Sequence, residues 1–140
     1  MTTIVCDSRV GLMGADTHTD WGMPARKLWR HKTKGIFGCA GDYTAAVRFQ
    51  NWILRGKKKP DQIIGENAEG FEALQLYKGL VLVWDGAMQA DECLQPYFAV
   101  GTGAKWALGA MDHGATIHEA LEIAAKRDSG TKAPFTYLEV

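Results

Sequence analysis

Short β-rich runs broken by polar or glycine turns open the chain. Thr2-Thr3-Ile4-Val5-Cys6, a polar turn through Asp7-Ser8-Arg9 and then Val10-Gly11-Leu12-Met13-Gly14-Ala15 predict an N-terminal hairpin. A polar segment from Asp16 to Pro24 leads to Arg26-Lys27-Leu28-Trp29-Arg30 and a charged turn. Gly35-Ile36-Phe37-Gly38-Cys39-Ala40-Gly41 has the small and apolar residues of a tightly packed buried strand. Four strands therefore come first. From Asp42 the period changes, because Ala45, Phe49, Trp52 and Ile53 fall on one helical face. Asp42 caps that helix and Gly56 closes it after about three turns.

Residues 56 to 70 carry a lysine run, Pro60, Gly65 and Gly70, and allow a short helical turn at Asp61-Gln62-Ile63-Ile64. Phe71 to Tyr77 and Leu80 to Trp84, joined by Lys78-Gly79, read as a second strand pair with Asp85-Gly86 as a turn after it. Tyr97 to Val100 is a further strand, ending at Gly101-Thr102-Gly103. Two helical patterns follow, one through Trp106, Ala107, Ala110 and Met111, the other through Ile117, Ala120, Leu121, Ala124 and Ala125. Thr116 and Glu119 form a capping box for the second, and Phe135 to Leu138 is a terminal strand. The order lacks the alternation of a doubly wound parallel sheet, so two sheets with helices outside them fit better.

Composition narrows the function. The chain has 140 residues, 46% of them hydrophobic, which predicts a single domain over 1–140. Its 16 Lys+Arg balance 16 Asp+Glu, and the one dense basic run, Lys57-Lys58-Lys59, adjoins Pro60 in a loop, so nucleic acid is not an expected partner. No segment approaches the roughly 20 apolar residues of a membrane span, and the start has neither a basic region nor a long apolar stretch. Cys6, Cys39 and Cys93 are widely spaced and odd in number, which suits buried thiols in a reducing, cytoplasmic compartment.

Several motifs fail on inspection. Gly101-Thr102-Gly103-Ala104-Lys105-Trp106 has Trp where a dinucleotide fingerprint needs glycine, and no phosphate-loop pattern occurs. His113 and His118 are poorly spaced for one metal and read as surface or capping histidines. Ser8 and Ser129 are the only serines, and neither lies in a nucleophile elbow. The tryptophans at 21, 29, 52, 84 and 106 read as core or subunit contacts, with none assigned to catalysis.

The start of the chain carries chemistry. A small second residue such as Thr2 permits removal of Met1, and a free N-terminal threonine combines nucleophile and base in one residue. Its hydroxyl attacks, and its α-amine, with a reference pKa of about 7.7 to 8.0, takes the proton.

Here the sequence resembles the proteasome β-type subunits and the bacterial HslV peptidase, N-terminal-nucleophile hydrolases that use threonine. Thr2-Thr3-Ile4-Val5 matches the family's opening, Ala15-Asp16 its second-strand end, and Lys27 its third-strand lysine. Ala40-Gly41-Asp42 stands where the family has Ala-Gly-Gly, with the interval from Lys27 to Gly41 kept. Phe98-Ala99-Val100-Gly101-Thr102-Gly103 is similar to the family's Gly-Ser-Gly stretch, and the helices ending at Lys126-Arg127-Asp128 to its paired helices. The resemblance runs from residue 2 to about 138. Three features depart from it: the Asp16 to Lys27 interval is shortened, the second helix of the first pair is cut down to 57–70, and Thr102 replaces a serine.

The resemblance implies an α+β, four-layer αββα sandwich of two antiparallel sheets flanked by helices. It implies a threonine peptidase with no metal or organic cofactor, assembled from identical subunits into a ring, acting on peptides or unfolded protein, with any ATPase a separate partner. Thr2 is then the nucleophile, Lys27 a cation beside it held by Asp16, and Gly41 the oxyanion donor. Thr102, Asp128 and Ser129 form the hydrogen-bond shell of the amine, although the family places its serine three residues after the Asp. Thr17 to Thr19 and the Gly41 segment supply an edge for substrate pairing, and Cys39 floors the side-chain pocket. Structural alternatives stand beside these roles: a salt bridge for Asp16 and Lys27, a strand-ending glycine for Gly41, a small buried thiol for Cys39. Two other functions remain open on the same fold, a catalytically silent assembly ring and a small-molecule amidase.

Overall fold

The computed structural model describes residues 2–60 and 70–140, and the helical turn allowed at 61–64 lies outside the described residues. Four strands lead, β1 (Thr3–Asp7), β2 (Leu12–Asp16), β3 (Leu28–His31) and β4 (Gly35–Gly41), followed by helix α1 (Tyr43–Arg55). Next come β5 (Phe71–Tyr77), β6 (Leu80–Trp84), β7 (Ala90–Cys93) and β8 (Tyr97–Gly101), then α2 (Ala104–Asp112), α3 (Ile117–Arg127) and β9 (Phe135–Glu139). The strands form two antiparallel sheets, ordered β8-β1-β2-β9 and β3-β4-β5-β6-β7.

Strand alternation explains the layers. Ile4 and Cys6 of β1 face a core shared with Met13, Leu28, Leu74 and Val100, between the sheets. Val5 points the other way, into a cluster with Met111, Ile117 and Leu121 of α2 and α3. With both faces covered, every residue of β1 is buried. On the far side, α1 packs Ala45, Phe49 and Ile53 against Phe37 and Phe71. The Phe49 ring lies 5.2 Å from Trp84 and 6.0 Å from Phe37 between centroids, in edge-on contacts favoured by aromatic quadrupoles. The result is the four-layer αββα sandwich expected from the sequence.

Both helix caps inferred from sequence are present. Asp42 accepts from the Ala45 N–H at the start of α1, and Thr116 exchanges hydrogen bonds with Glu119 at the start of α3. Three strand readings needed correction. The first turn extends through Gly11, so β2 starts at Leu12 and Val10 is 65% exposed. β3 starts at Leu28 rather than Arg26. β7 was not anticipated, because Ala90-Asp91-Glu92-Cys93 is polar and mostly exposed; it is an edge strand whose pairing comes from β6.

Candidate active site

Thr2 stands at the head of β1, between the end of β8 and the end of β2, and is 6% exposed. Lys27 directly precedes β3, where its carbonyl accepts from the Cys39 N–H at 3.2 Å. The Lys27 Nζ donates to Thr2 Oγ1 at 2.7 Å and to Asp16 Oδ1 at 2.8 Å. Asp16, fully buried at the end of β2, also accepts backbone N–H bonds from Thr3, His18 and Lys132. Those donors stabilise its charge, which in turn holds the ammonium. Burial lowers the Lys27 pKa below its ordinary value, and the hydrogen bond and charge of Asp16 oppose that shift.

A second set of bonds meets Thr2 through its nitrogen. The Thr2 N–H donates to Thr102 Oγ1 at 3.3 Å, and the Thr102 hydroxyl donates to Asp128 Oδ2 at 2.6 Å. Thr131 Oγ1 donates to the same carboxylate oxygen at 2.6 Å and lies 2.6 Å from Thr3 Oγ1. Because the Thr131 proton goes to Asp128, Thr3 is the donor in that last pair. Burial raises the Asp128 pKa, but the bonds from Thr102, Thr131 and the Gly130 N–H outweigh it, so the carboxyl sits below its ordinary value. The approach depends on Gly101, where φ is +99° and an added Cβ would lie 2.0 Å from the Thr2 carbonyl oxygen.

Gly41 ends β4 with φ +97°, and a Cβ there would lie 1.3 Å from the Gly70 carbonyl oxygen. No other residue fits that backbone. A cavity of about 410 Å³ includes Thr2, Thr19, Lys27, Cys39 and Gly41 in its lining. Burial pushes the Cys39 thiol pKa up, so Cys39 is a neutral, inert wall. The site therefore combines a hydroxyl, a cation touching it, a nitrogen held by a hydroxyl and carboxylate relay, and a strand-ending glycine. These are the components of acyl transfer.

Two of the sequence-predicted residues lie elsewhere. Thr17 is buried, its hydroxyl donates to the Pro134 carbonyl and its own carbonyl accepts from Ala25, because the shortened 17–25 loop folds back on itself. It belongs to a second cavity, beside Leu28 and Leu138. Ser129 is exposed in the turn after α3, and the hydroxyl bonded to Asp128 at this end is that of Thr131. Thr131 stands three residues after Asp128, where the resemblance to the proteasome β-type subunits places a serine, so a second Ser-to-Thr replacement like that at Thr102 is the signal that could have found it. The role of Thr3, whose side chain closes the relay, has no sequence signature.

Among the described residues, no group of three or more His, Cys, Asp or Glu side chains could hold a metal ion, and no helix is long and apolar enough to cross a membrane.

No protein-family model and no curated protein matches the sequence. Solved structures do. BPH from Thiobacillus denitrificans, in complex with epoxomicin, superposes with a TM-score of 0.76 at 15% identity, over 99% of this chain and 98% of that one. Eukaryotic HslV from Trypanosoma brucei gives a TM-score of 0.72 at 18% identity, over 99% and 100% of the two chains. The Gly-1 mutant of Anbu from Hyphomicrobium sp. strain MC1 gives 0.70 at 16% identity, over 100% of this chain and 82% of that one. At these identities the likeness is one of fold, and the fold is that of the N-terminal-nucleophile hydrolases.

Proposed function

We propose that this chain is an N-terminal threonine peptidase, mature from Thr2, which acts on peptides or unfolded protein within a ring of identical subunits. The observation that carries the proposal is the convergence on Thr2 from two sides: Lys27 and Asp16 at the hydroxyl, Thr102 and Asp128 at the nitrogen. Loss of Met1 turns that nitrogen into an α-amine whose reference pKa is about 7.7 to 8.0. Thr2 Oγ1 attacks the scissile carbonyl carbon while its proton passes to the amine. The Lys27 ammonium, donating to the same oxygen, stabilises the developing alkoxide, and the Gly41 N–H stabilises the oxyanion of the tetrahedral intermediate. Collapse breaks the C–N bond, the amine gives its proton to the leaving nitrogen, and water hydrolyses the resulting ester to restore Thr2. The ring, and a separate ATPase that supplies substrate, follow from the resemblance to HslV and the proteasome β-type subunits.

Epoxomicin, the ligand held by BPH, is a suitable probe. Protein purified from its native host is expected to have an intact mass lacking Met1 and to carry the label on Thr2. A mass that still includes Met1, labelling at another residue, or full peptidase activity in Thr2→Ala would overturn the proposal.

A further inference from the structure

One wall of the cavity beside Thr2 is a stripe of α1. Tyr43, Ala46, Val47 and Gln50 recur at helical spacing and all face it. The stripe spans about 10 Å from Tyr43 to Gln50. Tyr43 follows Gly41 by two residues, so its ring stands next to the backbone that would hold the substrate carbonyl. Across the mouth, the shortened loop contributes Trp21 and Met23. The Trp21 and Tyr43 rings meet edge-on, with centroids 5.4 Å apart and planes at 62°.

Both rings remain largely uncovered, Trp21 at 73% and Tyr43 at 65% exposure. Large apolar groups left in water at the rim of a cavity are stabilised when an apolar group packs against them. A planar side chain extends an edge-to-face pair better than a branched aliphatic one and buries more area per fixed torsion. A charged side chain finds no buried counter-charge on the α1 stripe or at Cys39; Lys27 is engaged by Asp16 and Thr2, while Asp20 and Arg26 stand exposed on the loop.

Resting on the peptidase assignment, we propose that Trp21 and Tyr43 are specificity-determining residues, which make this cavity select an aromatic side chain on the residue whose carbonyl is attacked. The occupant is that substrate side chain, continuous with the nucleophile at the cavity floor.

The test uses a fluorogenic peptide panel differing only at that residue, with Phe, Tyr, Leu, Ala, Glu or Arg. The Phe and Tyr peptides are expected to exceed Ala in kcat/KM by at least about tenfold, the range open to an apolar pocket. Tyr43→Ala and Trp21→Ala are expected to lower the Phe-to-Ala ratio severalfold, whereas Leu94→Ala, at a 95% exposed leucine away from the cavity, leaves that ratio unchanged. The same peptides are titrated calorimetrically into Thr2→Ala protein, where binding is read without chemistry. If nothing is cleaved but Thr2→Ala protein binds the Phe peptide tighter than the Ala peptide, and Tyr43→Ala removes the difference, the pocket assignment stands and the peptidase assignment falls. Preference for Glu, Arg or Leu, or a Phe-to-Ala ratio untouched by both variants, overturns the pocket assignment. So does a loss of subunit assembly in both variants with selectivity intact, which would give the rings to a second copy.

Discussion

Lys27 is the residue on which structural and catalytic explanations part. A buried Lys and Asp on neighbouring strands would hold a fold together with or without chemistry. Lys27→Met leaves Asp16 buried without its cation, an expected loss of about 3 kcal/mol in urea unfolding. Adding Asp16→Asn removes the stranded charge and is expected to recover most of that stability while leaving epoxomicin labelling of Thr2 slow. Labelling of the double variant at the wild-type rate would reduce the pair to a structural salt bridge. The pH profile gives an independent check. Burial disfavours the charged ammonium, so Lys27 releases its proton below the ordinary 10.5, and a reaction that needs the cation declines from there upward. On the acid side the α-amine must be neutral, so the labelling rate is expected to rise through about pH 7.7 to 8.0. An alkaline limb at or above 10.5 would contradict the lowering of the Lys27 pKa by burial, and a rate with no alkaline limb would contradict the need for the cation. At this scale Thr2, Lys27 and Gly41, which line one cavity, were legible because the proposed chemistry needs one residue type at one spacing for each. Thr131 was not, because any hydroxyl satisfies the carboxylate and the serine beside Asp128 was the more conspicuous one.

Among the elements, α1 does the most to place the site, since its first turn follows Gly41 directly and its buried face sets its height on the second sheet. Asp42→Ala removes the cap bond to Ala45, with an expected cost of about 1 kcal/mol. Phe49→Ala empties a position ringed by Phe37, Trp52, Phe71 and Trp84 and is expected to cost about 3 to 5 kcal/mol. Chemical denaturation of the two variants checks the order; equal losses would mean that packing of α1 is slack. The helices were readable because caps and a 3.6-residue period are local signals. Edge strand β7 has neither a buried face nor an apolar alternation, and its identity depends on a partner that local sequence does not reveal.

For the whole molecule, the two sheets meet so that the start of β1 lies beside the ends of β2 and β8 and near the start of β3, and residues distant in sequence converge on Thr2. TM-scores of 0.70 to 0.76 at 15 to 18% identity mean that the path of the chain is kept while most residues differ, which is why no sequence comparison found the likeness.

The burial of β1 on both faces also governs how the protein can be produced. Because the strand that begins at Thr3 is locked between β8 and β2, additional residues upstream of Thr2 are expected to leave the sandwich intact while occupying the nitrogen proposed as the base. An affinity tag fused to the N-terminus is expected to yield folded, soluble protein that epoxomicin does not label, and proteolytic trimming that exposes Thr2 is expected to restore labelling. The opposite terminus tolerates fusion better, since Val140 is exposed at the end of edge strand β9. A tag placed there leaves the Thr2 end unaltered.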